Sequence, residues 1–133
     1  MPPSSMKVGL VFRIWDTTVE PAEFKYNIII GINSEHVGTI YINTKTSYGE
    51  LTKGAQASNF LIEQSDYEFL KRDSFADCTT IIKRVKSEVN NLLQGSAVSC
   101  VSELAPKVIS GILDTIKRSK DLTRAEKLVF GLT

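Results

Sequence analysis

The chain has 133 residues, 42% of them hydrophobic and 23% charged, with a net charge of +1. That make-up fits one soluble globular domain, long enough to bury a core without disulfide or metal staples. No apolar run approaches the ~20 residues of a membrane span, and the strong basic footprint of most nucleic-acid binders is missing. Residues 1–5 (Met1-Pro2-Pro3-Ser4-Ser5) read as a flexible tail without the basic start or apolar stretch of a signal peptide, so a cytoplasmic protein is expected. Lys7 to Trp15 is rich in β-branched and aromatic residues and predicts a first strand. Asp16 to Lys25, with Pro21, reads as a loop. Tyr26 to Ile32 and Val37 to Asn43, joined by the turn Asn33-Ser34-Glu35-His36, form the clearest hairpin in the chain.

A long polar loop, Thr44 to Ser58, follows; loops of that length are often functional. Asn59 to Glu63 predicts a short strand, and Ser65-Asp66-Tyr67-Glu68 matches a capping box opening one helical turn, after which Phe69 and Leu70 dock on the sheet. Phe75 to Val85 is the last strand expected. Ser87 caps a helix ending near Gln94, with Gly95 beyond it. Val108, Ile109, Ile112, Leu113 and Ile116 recur at helical spacing inside a helix expected over Ser102 to Ser119, with Pro106 in its first turn. Thr123-x-x-Glu126 predicts a capping box for a final helix. The expected layout is α+β and a single domain over 1–133: a β-rich body over 6–85, then a helical part over 86–133.

Charge is unevenly placed. Up to Leu70 there are five Lys/Arg against eight Asp/Glu; from Lys71 onward there are eleven against seven. There is no phosphate-binding glycine loop, no metal-binding His/Cys cluster and no nucleophile elbow, and no cofactor or metal is expected. The lone histidine, His36, excludes a two-histidine ribonuclease within one chain. Cys78 and Cys100 match neither zinc nor Cys-x-x-Cys spacing; they read as reduced thiols, with a disulfide left open.

The run Asn59–Cys78 (Asn-Phe-Leu-Ile-Glu-Gln-Ser-Asp-Tyr-Glu-Phe-Leu-Lys-Arg-Asp-Ser-Phe-Ala-Asp-Cys) resembles a segment of small toxin-like proteins of the MazF/PemK class. The resemblance implies a small SH3-like β-barrel of about five strands followed by C-terminal helices. It also implies metal-independent cleavage of single-stranded RNA, a homodimer and an antitoxin that blocks the groove. Family enzymes place a basic residue just before the second barrel strand and a Thr or Ser at the end of the next. Lys25 and Thr44 match those positions in order. The chain departs from the family in having Lys25-Tyr26 where Arg-Pro is usual, and Lys offers a point charge in place of a planar fork. Glu20 and Glu23 would repel a phosphate backbone, and Lys45 and Lys53 would offset them. Trp15 and Tyr48 are candidates for stacking on bases. The bland readings stand beside these: a solvated lysine, a strand-end threonine, a tryptophan closing the core. Asp73-Ser74 read as satisfying backbone donors, and Arg118, Lys120 and Arg124 as either a solvated face or an anion or partner site. The alternative function is a non-catalytic member of the same fold that binds a protein or a nucleotide-like ligand.

Overall fold

β-Branched and aromatic residues crowd the first third of the chain and form three long strands, β1 (Leu10–Asp16), β2 (Glu23–Ile32) and β3 (His36–Asn43). The computed structural model describes residues 6–17, 20–95 and 100–133; the tail expected over 1–5 lies outside them, as does the side chain of Cys100. Asn33 shapes the β2–β3 turn by accepting at Oδ1 from the backbone N–H of Glu35 (3.0 Å) and of His36 (2.7 Å). The chain continues through α1 (Lys53–Ala57), β4 (Asn59–Ile62), β5 (Ser74–Asp77), β6 (Ile82–Val85), α2 (Lys86–Gln94), β7 (Cys100–Glu103), α3 (Pro106–Arg118) and α4 (Arg124–Leu128).

All strand pairs are antiparallel and make one curled seven-stranded sheet in the order β4-β5-β3-β2-β1-β7, with β6 also on β3. Register shifts at Ile29/Gly31 and at Val11/Phe12 supply the curl, since a bulge bends its strand and raises its twist. Both faces of the sheet's centre are buried. On one, Val11, Ile28, Ile30, Ile40 and Ile42 meet Ile112 and Ile116 of α3, with Leu122 and Leu132. On the other, Leu10, Phe12, Ile29 and Val37 meet Val89 and Leu93 of α2. Each such fully buried aliphatic side chain contributes about 1.5–3 kcal/mol. The α+β architecture is as expected, and among the described residues no helix is long and apolar enough to cross a membrane.

Several boundaries differ from expectation. Gly9 turns at φ +95°, so β1 starts at Leu10 and not at Lys7. β2 begins at Glu23, inside the expected loop, which makes Lys25 its third residue. The polar loop after β3 holds a 3-10 turn (Tyr48–Glu50) and α1, whose cap is Thr52 accepting from Ala55 N–H. The expected Ser65 cap is not used: the turn is 3-10 over Gln64–Asp66, and Asp73 Oδ1 instead accepts from Gln64 N–H at 2.8 Å. The strand expected over Phe75–Val85 is two strands. Asp77 Oδ1 accepts from both the amide and the hydroxyl of Thr79, while Cys78 N–H donates to Ser58. β5 therefore takes only the far end of one edge of β3, and β6 takes the near end. Residues 100–103 are not helix but β7, an edge strand on β1, and α3 opens on Pro106 itself, where a missing N–H costs nothing. The Thr123–Glu126 capping box is present in both halves, at 3.0 and 3.1 Å.

α4 carries Phe130 onto the hairpin. A Cβ on Gly31 would stand 2.5 Å from Phe130 Cβ, and one on Gly38, its cross-strand partner, 2.6 Å from Phe130 Cε2. Gly38→Ala is expected to destabilise by about 1–3 kcal/mol through overpacking, read as a lower midpoint in urea unfolding. In a Phe130→Ala background the same change should cost almost nothing; equal costs in both backgrounds would rule the contact out. Cys78 is fully buried and burial pushes its thiol up to about 12. Dithionitrobenzoate at pH 8 is therefore expected to modify Cys78 only as fast as the β4–β5 region opens, and immediately in denaturant.

Candidate functional site

The outer ends of β2 and β3 carry the residues singled out from sequence, and the Tyr67–Arg72 segment folds over them. Tyr67 and Leu70 are buried, and the Tyr67 hydroxyl accepts from Ala105 N–H at 3.0 Å. Those two anchors leave Phe69 half-buried against Tyr26, ring centroids 5.0 Å apart, and bring Lys71 and Arg72 to the rim. Tyr26, Thr44, Phe69, Lys71 and Arg72 enclose an open cleft of about 340 Å³. Arg72 Nε donates to the backbone carbonyl of Thr44 at 2.6 Å, fixing the guanidinium beside the Thr44 side chain. Among the described residues, neither Arg72 nor Lys71 has an ion-pair partner.

A second cleft of about 190 Å³ runs on around the strand ends, lined by Glu23, Lys25, Tyr26, Asn43, Thr44 and Lys45. Thr44 and Tyr26 belong to both clefts, so Lys25 and Thr44 are neighbours, as their order in the sequence implied. Both line this second cleft, while strand alternation sends the Lys25 and Tyr26 side chains to opposite faces of β2. Lys25 Nζ lies 3.3 Å from the Glu23 carboxylate and 5.4 Å above the Tyr41 ring. Tyr41 is held in turn by donating its hydroxyl to Asp16 Oδ2 at 2.6 Å. Lys45 closes on Glu23 from the other side, and Lys45 first, then Lys25, hold that carboxyl below the usual carboxylate range. Glu23 does not simply repel an incoming phosphate; it pairs with two of the expected cations and offsets one of their two charges.

The remaining candidates are scattered. Trp15 does not close the core: it is 52% exposed, edge-on to Phe24 at 4.9 Å. Tyr48 donates its hydroxyl to Gln56 O and sets its ring against Phe75 at 6.4 Å, tying down its own loop. Lys53 opens α1, which packs on β4, and lines neither cleft. Asp73 satisfies a backbone donor as expected, accepting from Gln64 N–H at 2.8 Å, whereas Ser74 serves a backbone acceptor, donating to Arg72 O at 3.0 Å. Arg118 Nε donates to Asp114 O near the end of α3. Sequence reasoning passed over Phe69, Lys71 and Arg72. Their signal was present: two cations directly after the docking pair Phe69-Leu70.

Glu23→Gln is expected to release Lys25 and Lys45 and to strengthen binding of inorganic phosphate roughly 3–10-fold, read as the thermal shift in a phosphate titration. Because the Glu23 pKa is lowered, its ion pairs stabilise the fold above the ordinary carboxylate pKa. That contribution disappears as pH falls through the lowered value, and wild type should then approach the variant's behaviour. An unchanged phosphate affinity would mean that the two lysines do not face the cleft once freed.

No protein-family model matches the chain, and no curated protein matches it.

Proposed function

We propose that this chain is a MazF/PemK-like endoribonuclease that cuts single-stranded RNA in the cleft at the ends of β2 and β3, its curled sheet being an SH3-like barrel. The observation that carries the reading is the placement of Arg72. Its Nε is held by the carbonyl of Thr44, its terminal nitrogens have no described partner, and it lines the same cleft as the aromatic rings of Tyr26 and Phe69. An aromatic wall accepts the face of any unpaired base, and a guanidinium fork beside a hydroxyl suits a phosphate. In the reaction the RNA 2′-oxygen attacks the adjacent phosphorus. The O2′–P bond forms as the P–O5′ bond breaks, leaving a 2′,3′-cyclic phosphate and a 5′-hydroxyl. The 2′ proton passes to solvent, and water returns one to the departing O5′. Arg72 stabilises the charge that gathers on the non-bridging oxygens, and Thr44 orients the phosphate. In this reading Arg72, from the far wall of the cleft, does the work that the family gives to the position of Lys25. The resemblance also implies a cytoplasmic homodimer and an antitoxin, and both belong to the proposal.

One observation favours a second reading, a non-catalytic module of the same fold that binds a nucleotide-like ligand or a protein. Lys25, at the family's catalytic position, is ion-paired to Glu23 and turned to the opposite face from Tyr26. Induced expression in a bacterial host, with total RNA run alongside, separates the two. Wild type is expected to arrest growth and fragment RNA. Arg72→Ala should lower the cleavage rate of a purified single-stranded substrate on the order of 10²-fold, as loss of one charge-stabilising donor does. Lys25→Ala should lower it far less. Intact RNA together with retained oligonucleotide binding would establish the non-catalytic module. Full activity in Arg72→Ala would move the chemistry to another site.

A further inference from the structure

The face of the sheet that carries Tyr26 continues outward past the cleft. Register pairs Arg13 with Tyr26 and Trp15 with Phe24, so these four side chains rise from the same face of β1 and β2. The outermost pair is half exposed. Trp15 is 52% exposed and Phe24 47%, and they meet edge to face at 71°. Arg13 lies over the Phe24 ring at 4.4 Å and, among the described residues, has no ion-pair partner. Two large aromatic rings left in water next to an unneutralised cation are costly unless something covers them.

We infer that the Trp15–Phe24 ledge is a stacking subsite for an unpaired base, the neighbour of the one held against Tyr26 and Phe69, with Arg13 facing the phosphate between them. The inference rests on the RNA reading above and adds to it the path of the strand. Three features favour a nucleic-acid strand as occupant. The ledge is continuous with the cleft through Tyr26. Among the described residues, the cations named along the route on this face, Arg13, Lys71 and Arg72, lack a carboxylate partner, which complements a polyanion. Phe24 and Tyr26, two residues apart on one strand, are separated by roughly 6.7 Å, about twice the 3.4 Å rise of a stacked strand. Bases seated on both must therefore be splayed apart. That selects unpaired RNA and rejects duplex without any base-edge contact. A ring platform of this kind grips every base by its face, so the subsite contributes affinity and discrimination against duplex more than sequence preference.

Trp15 is the single tryptophan of the chain, so its emission reports on the ledge alone. The test titrates the protein with an end-labelled 2′-O-methyl RNA hexamer, which lacks the attacking hydroxyl. Label anisotropy and Trp15 emission are followed together. Quenching with the same midpoint as the anisotropy change is expected, absent with a duplex of the same sequence. Trp15→Ala should weaken binding about 5–100-fold, the loss of one base–aromatic stack, and Trp15→Phe should restore most of it. Trp15 is exposed, so both variants are expected to fold, checked by circular dichroism. Anisotropy showing binding while Trp15 emission and the Trp15→Ala affinity stay unchanged would overturn the subsite and leave the RNA reading standing. No anisotropy change at all would overturn both. Emission that shifts with protein concentration and ignores RNA would assign the ledge to contact between two copies of this chain.

Discussion

Asn27 Oδ1 is buried in the middle of the sheet and accepts from Thr39 Oγ1 at 3.0 Å and from Arg84 Nη2 at 3.0 Å. Left unsatisfied, such an oxygen costs about 1–3 kcal/mol. Arg84 completes the triangle by donating Nε to Thr39 Oγ1, and Asn27 Nδ2 donates to the carbonyl of Lys25. The consequences run outward. Arg84 holds β6 to the near half of β3, from His36 to Thr39, and β5 pairs beyond it with Ile42 and Asn43. The chain must therefore break between the two strands, at the Asp77–Thr79 turn. β5 in turn sets β4, and the segment between them is the one that lays Phe69, Lys71 and Arg72 over the cleft. A buried polar contact near the core thus determines where the cations of the rim come to rest.

The parts of this arrangement that were legible in the sequence are those written in local patterns. The β2–β3 hairpin follows from apolar runs around Asn33, and the last helix from Thr123 and Glu126. The α3 stripe also reads directly, because Ile112 and Ile116 repeat at helical spacing. The misplaced boundaries share a cause, which is pairing with distant residues. Cys100–Glu103 becomes strand because β1 presents a free edge; nothing within those four residues announces it. The continuous look of Phe75–Val85 concealed a break imposed by a partner strand 40 residues earlier. In the site, Lys25 and Thr44 are recoverable from order along the hairpin. Arg72 is not, since its position depends on the burial of Tyr67 and Leu70 and on a carbonyl 28 residues away. The sign of Glu23 was also unreadable. A carboxylate near a presumed phosphate site reads as repulsion until the strand places it between Lys25 and Lys45.

Electrostatically the molecule is more organised than its near-zero net charge implies. On the Lys25 side, Glu23 offsets one of the two lysine charges, and Asp16, which accepts from the Tyr41 hydroxyl, is a second carboxylate nearby. On the Tyr26 side, Arg13, Lys71 and Arg72 keep theirs. Around the same strand ends, an approaching anion therefore meets partly neutralised cations beside Lys25 and, among the described residues, unpaired ones beside Tyr26. Overall charge is a poor guide to polyanion binding when the neutralised cations and the free ones occupy different places.

The hydrogen bond from Arg72 to the Thr44 carbonyl bears on kinetics as well as position. A surface arginine ordinarily samples many rotamers and gives up that freedom on meeting a ligand, at a cost of about 0.5–1.5 kcal/mol for an interface side chain. Here one hydrogen bond, to an oxygen that belongs to the opposite wall, already favours a single placement of the guanidinium. The cleft therefore has little to rearrange when a ligand arrives, and the two walls gain a shared reason to stay together once it has. Rigidity of this origin shows itself as rapid productive capture and slow escape, with little change of shape between the empty and the occupied protein.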